Sequence, residues 1–195
     1  MTFDFPMGDS LTVVVMENIN ICPKGMKLRT YDMKGSTYHR RVHNGSYDGI
    51  NKDTEVAGTL KDEDFIEIDK CLKLGEQKNT WFHDQLCNDI TFFHRNKIID
   101  YSMLLIVVDT TKFDDRTKLK NFLDHYRVLT ESDEENQNFA YIIGVIDYFQ
   151  LYTFGKASER CIKRTIKCNP ELQTSSQPPD KYSHRYLDFA KTIIG

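Results

Sequence analysis

Two uninterrupted apolar runs, each with an aspartate at or near its end, constrain the fold of this 195-residue chain more than any other feature. They are YSMLLIVVD at 101–109 and FAYIIGVIDYF at 139–149. A strand with one face in water alternates apolar and polar residues, and neither run does so. Both runs therefore predict strands at the centre of a sheet, covered on both faces. Both are too short to cross a bilayer as helices.

The segments around these runs predict further strands and helices. The β-branched run at 11–19 and the loosely alternating run at 27–34 are typical of strands. A helix is predicted within 62–74 from its acidic start, a longer one from Asn79, and a last one near the chain end, which Asp180 is placed to cap. The apolar faces of the last two helices would consist of Phe82, Leu86, Ile90 and Phe93, and of Tyr182, Tyr186, Phe189 and Ile193.

Two polar regions separate these elements. The segment 43–58 is rich in Gly, Asn and Asp and predicts a loop. Residues 110–138, with the acidic run ESDEEN, predict a mobile insertion that includes a short helix near 119–126. The whole pattern predicts a mixed α+β fold.

Charge and cysteine usage exclude several classes of protein. The net charge of −3 excludes a chain that binds nucleic acid through its overall positive charge. Five scattered cysteines without a C-x-x-C pair argue against a zinc site and for reduced thiols inside a cell. The acidic opening MTFDFPMGDS lacks the apolar core of a signal peptide, so we expect any membrane contact to be peripheral.

Two aspartates adjoin otherwise apolar strands. A carboxylate in such a place is costly to bury unless it is paired or binds a metal ion. If Asp100 and Asp147 lie at the ends of neighbouring strands, they would share a Mg²⁺ ion and a substrate hydroxyl. The alternative is that each caps a strand or bonds to a turn. Asp109 is a third such residue, and its position beside a loop favours the capping role.

The segment TYDMKGSTYHRR at 30–41 contains a weaker signal for phosphate binding. Lys34 supplies a point charge, Gly35 lets the backbone approach an anion, and the hydroxyls and amides beside them donate hydrogen bonds. The spacing is not that of a P-loop, so an ordinary polar turn is the alternative.

A basic stretch follows the second apolar run. Residues 155–168 contain one acid, Glu159, and five bases that would share one face of a helix, namely Lys156, Arg160, Lys163, Arg164 and Lys167. Such a face contacts solvent in most proteins, but it also suits an anionic membrane, near which each base adds about 1 kcal/mol. Nucleic acid is disfavoured because exposed aromatic residues do not alternate with the bases.

Four sequence blocks together resemble those of a known family. In chain order they are YDMKGSTYHRR, IIDYSMLLIVVD, IIGVIDYFQLYTFGKASE and PPDKYSHRYLDFAKTII. They are similar to the D-L-K-G-S-T, M-D-Y-S-L-L, G-I-I-D and closing P-x-x-Y-x-x-R-F blocks of the phosphatidylinositol phosphate kinases. The resemblance extends from about Thr12 to Ile194.

This resemblance implies the C-terminal lobe of a protein-kinase-like fold, in which helices pack on an antiparallel sheet. Residues 1–20 would form the last strand of the small lobe and the hinge, 110–138 an insertion and 150–180 the activation loop. The rest of the small lobe, with its glycine-rich loop and nucleotide-binding lysine, is missing. A fragment, a gene model that starts late and a degenerate paralogue would each explain this.

The resemblance also implies ATP and Mg²⁺ as cofactors and roles for individual residues. Asp147 would bind Mg²⁺ on the nucleotide phosphates, Asp100 would orient or deprotonate the inositol hydroxyl, and Lys34 would offset charge on the transferred phosphoryl group. Asp32 would steady Lys34. Two hinge residues would meet the adenine through their backbone groups, and these are Met16 and Glu17.

Three features favour the type I subtype, the phosphatidylinositol 4-phosphate 5-kinases. The segment STYHRR is similar to their S-T-Y-K-R-R, the cationic loop suits their membrane targeting, and Glu159 stands where type II enzymes have alanine. Arg40 and Arg41 would face anionic lipid together with the basic loop. Lys156-Ala157 and Ile162 depart from the family pattern, and IDYFQLYTF also resembles the type III enzymes.

The resulting hypothesis is an enzyme that phosphorylates phosphatidylinositol 4-phosphate to phosphatidylinositol 4,5-bisphosphate, in the cytoplasm at the inner face of the plasma membrane. Its partners would be that lipid and an anionic membrane surface, with no nucleic acid, and the family resemblance also allows a homodimer. The alternatives are a catalytically incomplete phosphoinositide-binding module or kinase fragment, and a soluble inositol-phosphate kinase that needs no membrane face.

Overall fold

A computed structural model describes the protein at residues 2–4, 10–12, 16–43, 45–50, 53–126, 128–130, 138–153 and 177–194. The described strands are β1 (Thr2–Asp4), β2 (Ser10–Thr12), β3 (Lys27–Met33), β4 (Thr59–Leu60), β5 (Ile98–Ile99), β6 (Ser102–Asp109), β7 (Leu129–Thr130), β8 (Phe139–Ile146) and β9 (Gln150–Leu151). The described helices are α1 (Asp62–Ile68), α2 (Glu76–Arg95), α3 (Arg116–Tyr126) and α4 (Pro179–Ile193). This is the mixed α+β fold that the sequence predicts.

The two apolar runs form the central strands β6 and β8 of a five-stranded sheet with the order β4-β3-β6-β8-β7. β6 pairs with β8 along its whole length, from Ser102 opposite Ile146 to Asp109 opposite Phe139, and its other edge pairs with β3. All residues of β6 except Leu104 are buried, which confirms the prediction of a central strand. Among the described pairings in this sheet, that of β4 with β3 is parallel and the others are antiparallel.

Helices α2 and α4 cover one face of the sheet. The apolar side chains predicted for the inner face of α2 are all buried there: Phe82, Leu86, Ile90 and Phe93. On α4, Tyr182, Tyr186 and Ile193 are buried and Phe189 is half-buried. These residues join Tyr31 and Met33 of β3 in the larger of two cores, where each fully buried side chain contributes about 1.5–3 kcal/mol. None of the described helices is long and apolar enough to cross a membrane.

A smaller core covers the opposite face of the sheet. Ile106 and Ile142, from the central strands, pack there with Phe122 of α3, Val128 and the connecting residue Ile19. The helix predicted near 119–126 is confirmed, and it begins earlier, at Arg116. Phe122 and Val128 anchor the described part of this region to the sheet, and the mobility predicted for 110–138 stays a prediction.

Two local predictions are wrong. Of the strand predicted at 11–19, Leu11 and Thr12 belong to β2 and residues 13–15 lie outside the described residues. Residues 16–20 have no regular structure, and Ile19 packs on the sheet face there. Asp180 does not cap α4, since Pro178 is the N-cap residue and Asp180 lies within the first turn. A proline at the first helical position, Pro179, explains this start, because its missing N–H would have no partner there.

Candidate active site

An interruption in the strand pairing brings the two predicted acids to one place. β6 pairs with β8 as far as Ser102 and Ile146, and the pairing resumes between β5 and β9, where Ile99 lies opposite Gln150. Asp100 lies in the gap on one strand and Asp147 lies in the gap on the other. The two carboxylates therefore flank the same break in the ladder, as the hypothesis of a shared site requires.

Both acids have left-handed backbone conformations. The φ angle is 65° at Asp100 and 60° at Asp147. This region costs an ordinary residue roughly 1–2 kcal/mol and is tolerated best by Gly, Asn and Asp. Strained positions of this kind persist where the surrounding structure imposes them, and they concentrate at functional sites.

Lys34 reaches the first of these acids from the neighbouring strand. It follows the end of β3, where Met33 lies opposite Met103 of β6. Its Nζ lies 2.5 Å from Oδ1 of Asp100 and 3.0 Å from the backbone oxygen of the same residue. Both side chains remain partly exposed, so a substrate can reach this ion pair.

Asp147 presents its carboxylate to solvent. Within the described residues it has no hydrogen bond or ion pair, and no cluster of three or more metal-ligating side chains occurs there. Mg²⁺ is commonly held by one or two carboxylates together with phosphate oxygens and water, and it does not need a protein cage. An exposed carboxylate at the same break in the ladder as Asp100 fits that ion.

The predicted hinge lies beside the same site. The hydroxyl of Tyr148, the residue after Asp147, donates to Sδ of Met16 at 3.4 Å. Ile19 covers Gly144 of β8 so closely that a Cβ atom there would lie 2.7 Å from the Ile19 Cδ1 atom. Glu17, between them, is exposed.

The structure corrects the predictions for Asp32 and Arg40. Asp32 does not contact Lys34; its carboxylate pairs with Arg40 at 3.2 Å, and its backbone oxygen accepts from the same guanidinium. Arg40 also donates to Asp62 at 2.6 Å, and its side chain is only 11% exposed, so it points into the fold and not toward lipid. Burial lowers the pKa of Arg40, but Asp62 and Asp32 together raise it above the ordinary value.

Arg41 stays at the surface. Its guanidinium stacks 4.7 Å from the ring centroid of Tyr47 and donates to the backbone oxygen of His43. The other predicted substrate or membrane residues lie outside the described residues, and these are Lys156, Glu159, Arg160, Lys163 and Arg164. Asp109 caps the 3-10 turn Thr110–Lys112 through its bond from the Thr111 amide, so its capping role is confirmed.

Three residues that the sequence did not indicate hold the backbone of the site. The Oδ1 atom of Asp62 accepts the amides of Lys34 and the two residues after it. From α4, Tyr182 donates to the backbone oxygen of Tyr101 at 2.6 Å, and Arg185 donates to that of Lys34 at 3.2 Å. The acidic start of α1 and the arginine three residues after Tyr182 were the available signals.

Comparison with known families identifies the family of this chain. The family model described as phosphatidylinositol-4-phosphate 5-kinase matches residues 2–127 and 110–193. The chain belongs to this phosphatidylinositol phosphate kinase family. It is therefore similar to lipid kinases that use ATP as the phosphate donor.

Several curated relatives carry the name of a different subtype. The chain is 24% identical to human phosphatidylinositol 5-phosphate 4-kinase type-2 gamma, over 85% of the chain and 49% of that protein. It is 23% identical to the rat type-2 beta kinase, over 85% of the chain and 49% of that protein. It is 22% identical to the mouse type-2 alpha kinase, over 95% of the chain and 54% of that protein. The chain thus spans about half the length of these relatives.

Proposed function

We propose that this protein transfers the γ-phosphoryl group of ATP to phosphatidylinositol 4-phosphate and produces phosphatidylinositol 4,5-bisphosphate. One observation carries the proposal: Asp100 and Asp147 flank the same break in the strand pairing, and Lys34 contacts Asp100. Phosphoryl transfer depends mainly on positioning and on charge compensation, which this set of residues supplies.

Each residue has a distinct role in this reaction. Asp100 orients the attacking inositol hydroxyl and accepts its proton at a carboxylate oxygen. Lys34 offsets the negative charge that spreads over the transferred phosphoryl oxygens. Asp147 would hold Mg²⁺, and the ion would supply positive charge to offset that of the nucleotide phosphates. The adenine would lie against the segment containing Met16 and Glu17, and the contact between Met16 and Tyr148 supports this position.

The proposal also specifies the lipid substrate, phosphatidylinositol 4-phosphate and not phosphatidylinositol 5-phosphate. The relatives named above are phosphatidylinositol 5-phosphate 4-kinases, and the family model is described as a 4-phosphate 5-kinase. STYHRR and Glu159 favour the 4-phosphate substrate here, since a carboxylate selects among inositol hydroxyl patterns by accepting hydrogen bonds. Parallel assays with both lipids would decide between them.

The lipid substrate implies that the protein docks on a membrane, and we place that contact at the inner face of the plasma membrane. The described residues offer exposed apolar and basic side chains close to the acids. Phe149 and Leu151 are 55% and 56% exposed, and Arg95 and Lys97 adjoin β5, which pairs with β9. Bases attract anionic lipid at about 1 kcal/mol each, and exposed apolar side chains insert at the interface. The basic loop and Arg41 would extend this surface.

The decisive experiment is a lipid-kinase assay of the complete natural protein with ATP, Mg²⁺ and vesicles containing either lipid. Asp147→Asn should lose at least about 100-fold in kcat, because it removes the charge that binds the metal. Asp114→Asn is the matched control, since Asp114 is exposed and remote from the break, and it should stay within about twofold of wild type.

Each other outcome would contradict part of the proposal. Equal activity of Asp147→Asn and wild type would overturn the metal role. Lipid binding without nucleotide binding would show the binding module instead of the enzyme. Phosphorylation of soluble inositol phosphates alone would show the soluble kinase. Sedimentation of the same preparation tests the homodimer that the family resemblance allows.

A further inference from the structure

We propose that Asp62 is a positioning residue for Lys34, and that the backbone amides of the Lys-Gly-Ser turn bind this carboxylate of the chain itself instead of a substrate phosphate. The proposal rests on the proposed function, because it concerns the charge that Lys34 brings to phosphoryl transfer. Three observations carry it: the hydrogen bonds of Asp62, the ion pair on its second oxygen, and the contacts on the far side of the turn.

The first observation is that Asp62 occupies an anion site made by three consecutive amides. Its Oδ1 atom accepts from Lys34 at 2.9 Å, Gly35 at 2.7 Å and Ser36 at 3.2 Å. Gly35 has φ of +66°, and successive N–H groups around a left-handed residue form a concavity that binds anions. The predicted phosphate contact of this turn is therefore wrong for its amides, since Asp62 fills the concavity.

The second observation concerns the other oxygen of Asp62. Oδ2 accepts from Nε of Arg40 at 2.6 Å, and the same guanidinium contacts Asp32. Asp62 is 1% exposed, and a buried carboxylate requires such pairing to remain charged. Arg40 thus links Asp62 to Asp32, near the end of β3. It thereby fixes both ends of the segment 32–40.

The third observation is that α4 supports the turn from behind. Arg185 donates to the backbone oxygen of Lys34, and a Cβ atom at Gly35 would lie only 3.0 Å from Cα of Tyr186. The N–H and C=O of Lys34 are thereby both bonded, which fixes the point from which its side chain extends. With that backbone fixed, its Nζ reaches Asp100 at 2.5 Å.

The consequence is that removing the charge of Asp62 should displace Lys34 without touching substrate. A catalytic group misplaced by about 1 Å costs on the order of 100-fold in rate. Asp62→Asn keeps the shape of the side chain but cannot satisfy both the amides and Arg40. We expect kcat to fall about 10- to 100-fold while the KM for ATP changes by less than about twofold.

The chain offers a matched control in the same helical turn. Asp64 is also a buried carboxylate, and it accepts from the amides of Val42, His43 and Lys61 and from the hydroxyl of Tyr47. Lys61 is the N-cap of α1, and the other three partners lie in the next loop, away from Lys34. In the complete protein, below the unfolding temperature of both variants, Asp64→Asn should keep kcat within about twofold. Equal losses in the two variants would overturn the proposal.

A second readout does not depend on kinase activity. Acylation of Lys34 by an activated ester, followed by mass spectrometry, reports whether its amine is held against Asp100. The rate should rise in Asp62→Asn and stay at the wild-type value in Asp64→Asn, with exposed Lys118 of α3 as the internal reference. An unchanged rate in Asp62→Asn would overturn the positioning role, whereas an inactive wild type would overturn only the proposed function.

If Asp62→Asn does not fold, Arg40→Lys provides the test. A lysine has one nitrogen where the guanidinium uses two, so it cannot keep the present contacts with both Asp62 and Asp32. A smaller fall in kcat and a faster acylation of Lys34 are therefore expected. Wild-type values of both quantities in this variant would overturn the proposal.

Discussion

Two consecutive loops follow β3, and carboxylates from the same turn of α1 bind both of them. Only the first loop contributes a residue to the candidate active site. The first loop, 34–40, is bound by Asp62, and the second loop, described at 41–43 and 45–47, is bound by Asp64. Both carboxylates are buried and both accept several backbone amides. The anchoring chemistry is therefore nearly the same in the two loops.

The two loops differ in what lies behind them. The first is enclosed between α1 and α4, since Arg185 and Tyr186 contact it from the far side. The second faces solvent, where Arg41 stacks on Tyr47 at the surface. A carboxylate anchor alone thus orders a loop, whereas an anchor with support from behind fixes a side chain that takes part in chemistry.

The largest effect is expected at the other end of α1, where a buried ion pair joins the end of the helix to β3. Arg29 binds Asp69 through two hydrogen bonds of 2.9 and 2.7 Å, and Tyr31 donates to the same carboxylate. Arg29→Met would leave Asp69 buried without its cation, which costs about 3–5 kcal/mol in the free energy of unfolding. Urea denaturation would measure this change.

Lys191→Met provides the control for that variant. Its partner Asp188 is exposed, as is Lys191 itself, and such surface pairs contribute about 0–1 kcal/mol. If Arg29→Met cost no more than this control, α1 would not be the rigid base that the comparison of the two loops assumes.

The second-largest effect is expected from alanine substitution at Gly35 in the first loop, compared with the same substitution at Gly49, just beyond the second loop. Both have positive φ, +66° at Gly35 and +86° at Gly49, so alanine costs roughly 1–2 kcal/mol at either position. At Gly35 the new methyl group would also meet the backbone of Tyr186 and Arg185 at 3.0 and 3.2 Å. Overpacking against backbone adds about 1–3 kcal/mol, so Gly35→Ala should cost about 3 kcal/mol in total.

Gly49→Ala meets nothing within 4 Å and should cost only the conformational term. Kinase activity of the folded protein should fall in Gly35→Ala and stay unchanged in Gly49→Ala. Equal stability losses, measured by urea denaturation, would show that α4 does not support the first loop.

The sequence could predict the frame of the site but not the contacts that complete it. The central strands were predictable because burial on both faces requires continuous apolar residues, and Asp100 and Asp147 follow from their positions at those strands. The three amides that bind Asp62 lie 26 to 28 residues away along the chain, and Arg40 lies 22 residues away, at separations that no local period encodes. Arg40 was misassigned to lipid for the same reason, since a charge pattern does not show which carboxylate the fold brings to it.

The third effect is a loss of folding stability in acid, which arises from Asp64, the carboxylate that binds the second loop. Burial alone would raise the pKa of Asp64. The hydrogen bonds from Tyr47 and three amides outweigh that effect, so the pKa lies below its ordinary value. A carboxyl with a lowered folded-state pKa adds stability above its unfolded pKa of about 3.9, and that stability is lost as the pH falls through the folded value. Wild type should therefore lose stability below about pH 4.

Asp64→Asn should lower stability by about 2 kcal/mol at neutral pH and reduce the acid dependence. Urea unfolding between about pH 3 and pH 7 would measure both, with the exposed Asp84→Asn as control. Curves of equal slope for wild type and Asp64→Asn would contradict the assignment of this pH dependence to Asp64.

The smallest effect isolates one hydrogen bond of the second loop. The hydroxyl of Tyr47 donates to Oδ1 of Asp64 at 2.7 Å, and burial, together with that carboxylate, raises the pKa of Tyr47 to about 12. Tyr47→Phe keeps the ring under Arg41 and removes only this bond, so it should cost about 1 kcal/mol. A raised tyrosine pKa adds stability below about pH 10 that is lost as the pH rises toward the folded value, and the variant should lack this alkaline loss.

Absorbance titration and urea unfolding of Tyr47→Phe would test the hydrogen bond, and the kinase assay would test the comparison of the loops. Because the second loop does not contact Lys34, the kcat of Tyr47→Phe should equal that of wild type. A severalfold fall in kcat would mean that the two loops move together through α1. In that case the support of the first loop by α4 would not isolate the site, and Asp64 would share the positioning role that we assign to Asp62.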